Sequence, residues 1–251
     1  MIGFTGTELQ ALLAAWLLPF ARIAALFSSA PLLSHAAFPP QLRLACAIAI
    51  TASVASVTPG YAPPSGTAMI LALIEQVAVG LAVGFTLQLV FAAATLAGEV
   101  IGLQMGIGFA TFFDPSGNGE SPLPATLLTL VAFLLFLSTD THLVLIGAVA
   151  EHFRELPPGT LVSALDPAVI VRAGESVFRL GLQLAIAPIV GLLMVNLAFG
   201  FVARVSPQLN IFSVGFPATL LAGIALLAIS APAWVRALQA ALTETVAAIG
   251  R

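Results

Sequence analysis

Residues 68–113 read AMILALIEQVAVGLAVGFTLQLVFAAATLAGEVIGLQMGIGFATFF. Only Glu75 and Glu99 break the apolar run. As one helix, these roughly 46 residues would be about 69 Å long at 1.5 Å per residue. The hydrocarbon core of a bilayer is about 30 Å thick. Either the helix projects far beyond the membrane or the chain turns and re-enters it. Non-helical backbone at membrane depth is tolerated only inside protein or beside a water-filled cavity. Both alternatives predict burial among partners rather than a simple lipid-facing span.

The rest of the 251-residue chain has the same character. Apolar residues make up 60% and charged residues 8%. Soluble domains carry about 25% charged residues. Eight basic and eleven acidic side chains cannot cover a soluble fold of this size. A soluble enzyme, a disordered chain and a collagen-like chain are therefore excluded, which leaves a polytopic membrane protein. All eight basic residues are arginine, they form no run, and the net charge is −3. Nucleic-acid binding thus has no electrostatic footprint, and a polybasic lipid patch is absent. The single cysteine, Cys46, excludes an intrachain disulfide and a cysteine-based zinc cluster; it reads as a small buried apolar residue.

Five further regions approach spanning length: about Leu9–Leu33, Leu42–Val57, Leu123–Ala150, Val177–Ala203 and Ile211–Ala231. The expected fold class is all-α, with about six long, kinked hydrophobic helices. Thr58–Gly66 and Asp114–Pro124 are dense in Gly and Pro and read as turns. Glu151–Glu175 is the one sizeable polar segment. No soluble second domain and no short-period repeat is expected. The N-terminus lacks a positive n-region, so the first segment is expected to be retained as a helix. Six alternating spans would collect Arg154, Arg172, Arg236 and Arg251 on one side and Arg43 and Arg204 on the other. That bias favours both termini on the cytoplasmic side.

Catalytic patterns are missing. His35, His142 and His152 have neither zinc-protease spacing nor partners. No nucleophile elbow occurs, and no cofactor or metal is indicated. Arg22, Glu75, Glu99 and Asp140 lie within or beside apolar runs, where a charge costs about 2.5–3.5 kcal/mol on insertion scales. They read as structural pairs, or as parts of helices standing clear of the membrane, more readily than as a proton relay. Ala94, Gly98, Gly102, Gly106 and Ala110 recur every fourth residue, and Gly80 and Gly84 add a second pair. Such ladders let helix backbones approach closely, within the chain or between subunits. Phe109, Phe112 and Phe113 would share a helix face. Asp114-Pro115 then disfavours helix, and glycines at 106, 108, 117 and 119 permit a tight excursion. This stretch is either a helix end with a surface loop or an aromatic plug that closes a pore by excluding water.

Three segments carry a family resemblance. EVIGLQMGIGFATFFDP (99–115), RVSPQLNIFSVGFP (204–217) and RIAALFSSAPLLS (22–34) resemble the flagellar biosynthesis FliR family. Length, apolar content and motif order agree over essentially the whole chain. Virulence-type export subunits are homologous, but the FATFFDP wording is more flagellar.

The resemblance implies a single membrane-embedded subunit of the type III export gate, with helices packed as hairpins. Residues 1–175 would be FliP-like and 176–251 FliQ-like. The subunit would assemble with FliP and FliQ, FlhB would dock on the cytoplasmic side, and unfolded flagellar proteins would pass through the pore. Residues 106–122 match the family's plug loop, which implicates Gly106, Gly108, Phe109, Phe112, Phe113, Asp114 and Pro115, with Gln104 and Met105 at its entrance. Pro207, Gln208, Asn210, Phe212, Gly215 and Pro217 match a C-terminal packing motif. Pro207 should end the fifth region's helix, Pro217 should kink or begin the sixth, and Pro19 and Pro188 predict kinks. The competing readings are an independent secondary transporter, with broken helices at Pro188 or Pro217, and a purely structural scaffold.

Overall fold

The structure is a computed structural model that describes residues 6–31, 39–57, 66–108, 121–155, 167–206 and 211–249. Among these residues there are seven α-helices and no strand. They are α1 (Gly6–Ser29), α2 (Pro40–Val57), α3 (Thr67–Gln104), α4 (Leu123–Ser138), α5 (Thr141–Glu155), α6 (Pro167–Val205) and α7 (Ile211–Ile249). The all-α membrane class expected from composition is what is observed. Three stretches are long and apolar enough to cross a membrane: Thr67–Gln104, Ala173–Val205 and Val214–Ile249. The pair α4 and α5, bent by 65°, makes a fourth if it counts as one span.

Several sequence expectations change. The region 123–150 is not one helix. It breaks at Asp140, whose φ of 51° lies in the left-handed region, and Asp adopts that conformation more readily than most residues because its short side chain bonds locally. The sixth region is much longer than 211–231. Pro217 and Pro232 lie inside α7, and the helix continues to Ile249. Pro19 lies inside α1 and Pro188 inside α6. Helix α6 stops at Val205, and Pro207 itself lies outside the described residues.

The chain packs as two compact units. The first comprises 1–89, 140–173 and 242–251. Here α3 lies against α1 through glycine. A Cβ on Gly80 would strike the Arg22 carbonyl and lie 2.8 Å from Ala25 Cβ. One on Gly84 would strike Ser29 Oγ and lie 3.0 Å from Ala30 N. Ala72 packs lower down with Ala14 and Leu18. Contact partners rise together along both helices, so α1 and α3 run parallel. Arg22, 1% exposed, is held in this interface. Its Nε donates to Gln76 Oε1 at 2.8 Å, and its guanidinium carbon lies 3.8 Å from the Phe153 ring centroid. A cation over an aromatic face gains more when water is excluded. Glu75 is also buried, whereas Glu99 and Asp140 are exposed. Cys46 is only half-buried on α2.

The second unit comprises 90–139 and 174–241. Phe91 on α3 meets Phe133 and Phe136 on α4, with centroids 4.7 and 6.1 Å away. The hydroxyls of Thr95 and Thr129 bond at 3.0 Å. Helices α6 and α7 run antiparallel, with Leu184 beside Trp234 and Gly191 beside Leu226. Pro188 has no N–H, so the carbonyl of Leu184, four residues earlier, loses its helical donor. The Trp234 indole Nε1 donates to that carbonyl at 2.8 Å, and both residues are buried. Trp234→Phe should therefore destabilise the protein by about 1–3 kcal/mol, the cost of an unmet buried acceptor. In a Pro188→Ala background, where the helix regains its donor, the loss should shrink. A double-mutant cycle from denaturation in detergent micelles measures the difference.

Candidate functional site

The end of α3 is built by a glycine cap. Gly106 has φ 82°. Its N–H donates to the Leu103 carbonyl at 3.0 Å, and the Ile107 N–H donates to the Gly102 carbonyl at 3.1 Å. This pair of bonds is the Schellman arrangement, with glycine in the left-handed position. The helix therefore ends at Gln104 rather than running on to Phe113.

The chain returns onto the same turns of α3. Pro122 caps α4, and Pro124 sits in its first turn, where a missing N–H costs nothing. The Pro122 carbonyl accepts from Ala125 N at 2.8 Å and from Thr126 N at 3.2 Å. A Cβ on Gly102 would lie 2.8 Å from Pro122 Cβ. One on Gly98 would strike the Ala125 backbone and lie 2.6 Å from the Pro124 carbonyl carbon. Pro122 and the first turn of α4 thus rest on the last turns of α3.

Helix α7 supports the cap. The Phe216 ring lies 3.3–3.4 Å from where a Gly106 Cβ would be. Met105 is buried and fills the space over Gly223. Helix α6 carries an exposed apolar stripe: Leu182, Ile186, Val190, Leu193, Leu197 and Phe201. Their spacing of three and four places them along one helix face. Among the described residues no group of three or more His, Cys, Asp or Glu could hold a metal ion.

The sequence over residues 13–245 matches the model of the family described as bacterial export proteins, family 1. The chain belongs to the FliR family. It is 39% identical over 234 residues to the flagellar biosynthetic protein FliR of Escherichia coli K12, covering 92% of this chain and 90% of that one. It is 40% identical to the FliR of Pectobacterium carotovorum over 235 residues, with the same coverage. It is 33% identical to that of Aquifex aeolicus over 220 residues, covering 86% and 84%. Membership makes the chain an inner-membrane component of the flagellar export apparatus, in a family of protein export rather than of catalysis.

Several residues singled out from the sequence fall outside the described residues: Phe109, Phe112, Phe113, Asp114, Pro115, Pro207, Gln208 and Asn210. The others lie near one another only in part. Gly98, Gly102 and Gly106 line the α3 end, with Gly108 just beyond. Gly215 is buried and Pro217 exposed within α7, flanking the Phe216 that meets Gly106. For Phe212 only its place in the helix is described. Sequence reading missed Gly223, and it held Pro122 and Phe216 only as members of the 106–122 and 204–217 stretches, with no role of their own. Gly223 did leave a signal: glycine inside a helix costs about 1 kcal/mol relative to alanine, so it calls for a packing reason.

Gly98→Leu should abolish the approach of α4 to α3 and sharply reduce the yield of monodisperse protein in size-exclusion chromatography. Gly147→Leu, where nothing lies within 4 Å of the added Cβ, should leave that yield near wild type.

Proposed function

We propose that this chain is a non-enzymatic subunit of the flagellar type III export gate. With FliP and FliQ it forms the inner-membrane channel through which unfolded flagellar proteins pass, and FlhB docks on the cytoplasmic side. Residues 1–175 form the FliP-like part and 176–251 the FliQ-like part. The observation that carries this reading is the likeness to FliR proteins over some nine-tenths of both chains.

Burial adds support. In α3 half of the spanning window is buried by the chain itself, but in α6 and α7 only 17% is. Those faces are left for lipid or for neighbouring helices, and the regular α6 stripe suits a helix. Within the assembly, the Phe/Gly segment 106–122 helps to close the pore. Its aromatic rings would exclude water from a constriction, and its two ends rest on one helix terminus. Gly98, Gly102, Pro207, Gln208, Asn210, Phe212, Gly215 and Pro217 serve packing.

Native mass spectrometry of this chain purified with co-expressed FliP and FliQ tests the assembly. This chain should be held within a larger FliP/FliQ particle. A monodisperse particle of this chain alone, beside well-expressed partners, would transfer the weight to the transporter reading. Deleting 108–119 in the assembled complex should make reconstituted liposomes leak potassium. Unchanged conductance in a complex of normal composition would end the gating role.

A further inference from the structure

Helix α5 has two opposite faces. Thr141, Leu145, Val149 and Phe153 recur every fourth residue and are all buried. At the far end of this face the Phe153 ring covers the Arg22 guanidinium, whose carbon lies 3.8 Å from the ring centroid. One side of α5 is thereby given to its own packing unit. The other side is headed by Asp140 and continues through Leu143, Val144 and Gly147, at steps of three and four. All four residues are exposed. A Cβ built on Gly147 meets nothing within 4 Å.

Histidine aside, Asp140 is the only acidic or basic residue between positions 121 and 150. Its backbone carbonyl accepts from Leu143 N at 2.9 Å and from Val144 N at 3.2 Å, which starts α5. Among the described residues nothing hydrogen-bonds to its carboxylate or pairs with it. The backbone alone does not call for a charge here. At a φ of 51° glycine is unstrained, and asparagine adopts this conformation as aspartate does. The negative charge therefore needs a separate reason. Beside an apolar face it is costly against lipid, whose tails offer it no partner. Another helix answers both features. An open glycine admits its backbone at close range, and a cation on it meets the carboxylate.

We propose that the outer face of α5 docks an apolar helix of a neighbouring subunit, and that an arginine or lysine of that helix pairs with Asp140. The proposal rests on the export-gate reading above, which supplies the neighbouring subunits. It adds the place and the chemistry of one contact.

Native mass spectrometry of the complex with co-expressed FliP and FliQ tests it. Asp140→Asn keeps the left-handed turn and removes only the charge. It should lower the fraction of this chain held in the complex at least about tenfold, as truncating one side of a desolvated charge pair does. Gly147→Leu should lower that fraction too, while the chain purified alone stays monodisperse. In a third variant, Val144→p-benzoylphenylalanine, light should join α5 to a partner peptide that contains arginine or lysine. Should Asp140→Asn spoil the chain by itself, this crosslink decides alone. Normal assembly of Asp140→Asn overturns the proposal, and so does a crosslink to lipid only or to no protein. The export-gate reading then stands, provided the wild-type chain assembles. If wild type assembles with neither FliP nor FliQ, both fall.

Discussion

Backbone approach at glycine is the constraint on which both packing units depend. In a chain this apolar, hydrophobicity does not distinguish one helix face from another, because leucine is as well placed against lipid as against leucine. Shape decides instead. Gly80 and Gly84 seat α3 on α1, and Gly98 seats α4 on α3. A side chain at Gly80 or Gly98 would run into backbone of the facing helix, and one at Gly84 into the Ser29 hydroxyl with backbone 3.0 Å away. Distance and register are thereby set, and the remaining contacts follow. Phe91 reaches Phe133 and Thr95 reaches Thr129 only because α4 has been brought that close.

Polar groups then fill particular places. Arg22 would be a severe cost in an apolar interior without hydrogen bonding. The register set at Gly80 puts Gln76, one helical turn earlier, beside its Nε. Pro188 poses the opposite problem, an acceptor deprived of its donor. The solution comes from another helix, through Trp234. In both cases the primary packing delivers the partner, and the hydrogen bond then locks the arrangement.

Class and the close-packing glycines of α3 could be read from composition and spacing, because they depend on local chemistry. The family followed from the wording of 99–115 and 204–217. Partners distant in sequence could not be read. Nothing around Gln76 marks it as the acceptor for Arg22, since a neutral amide in an apolar run has many possible roles. The break at Asp140 was hidden too, because STDTH contains neither Gly nor Pro. The end of α3 lay nine residues before the end of its apolar run, since capping at Gly106 outweighs hydrophobic continuity. Helix α7 outlasted its expected end because prolines at 217 and 232 did not stop it. At the candidate site the glycines were apparent, but their counterparts on α7 were not.

The α6–α7 hairpin carries its charges only at its ends, with a mechanical consequence. Glu175, Arg179 and Arg236 lie at one end of it and Arg204 at the other, since the helices run antiparallel. Leu180–Ala203 on α6 and Ile211–Val235 on α7 then carry no acidic or basic side chain, about 36 Å on each helix. The pairing of Leu184 with Trp234 and of Gly191 with Leu226 holds these two lengths level. Sliding the hairpin along its axis would draw charges into an apolar surround, lipid or protein, at a few kcal/mol each. Sliding along the axis therefore costs the hairpin more than tilt or rotation about that axis.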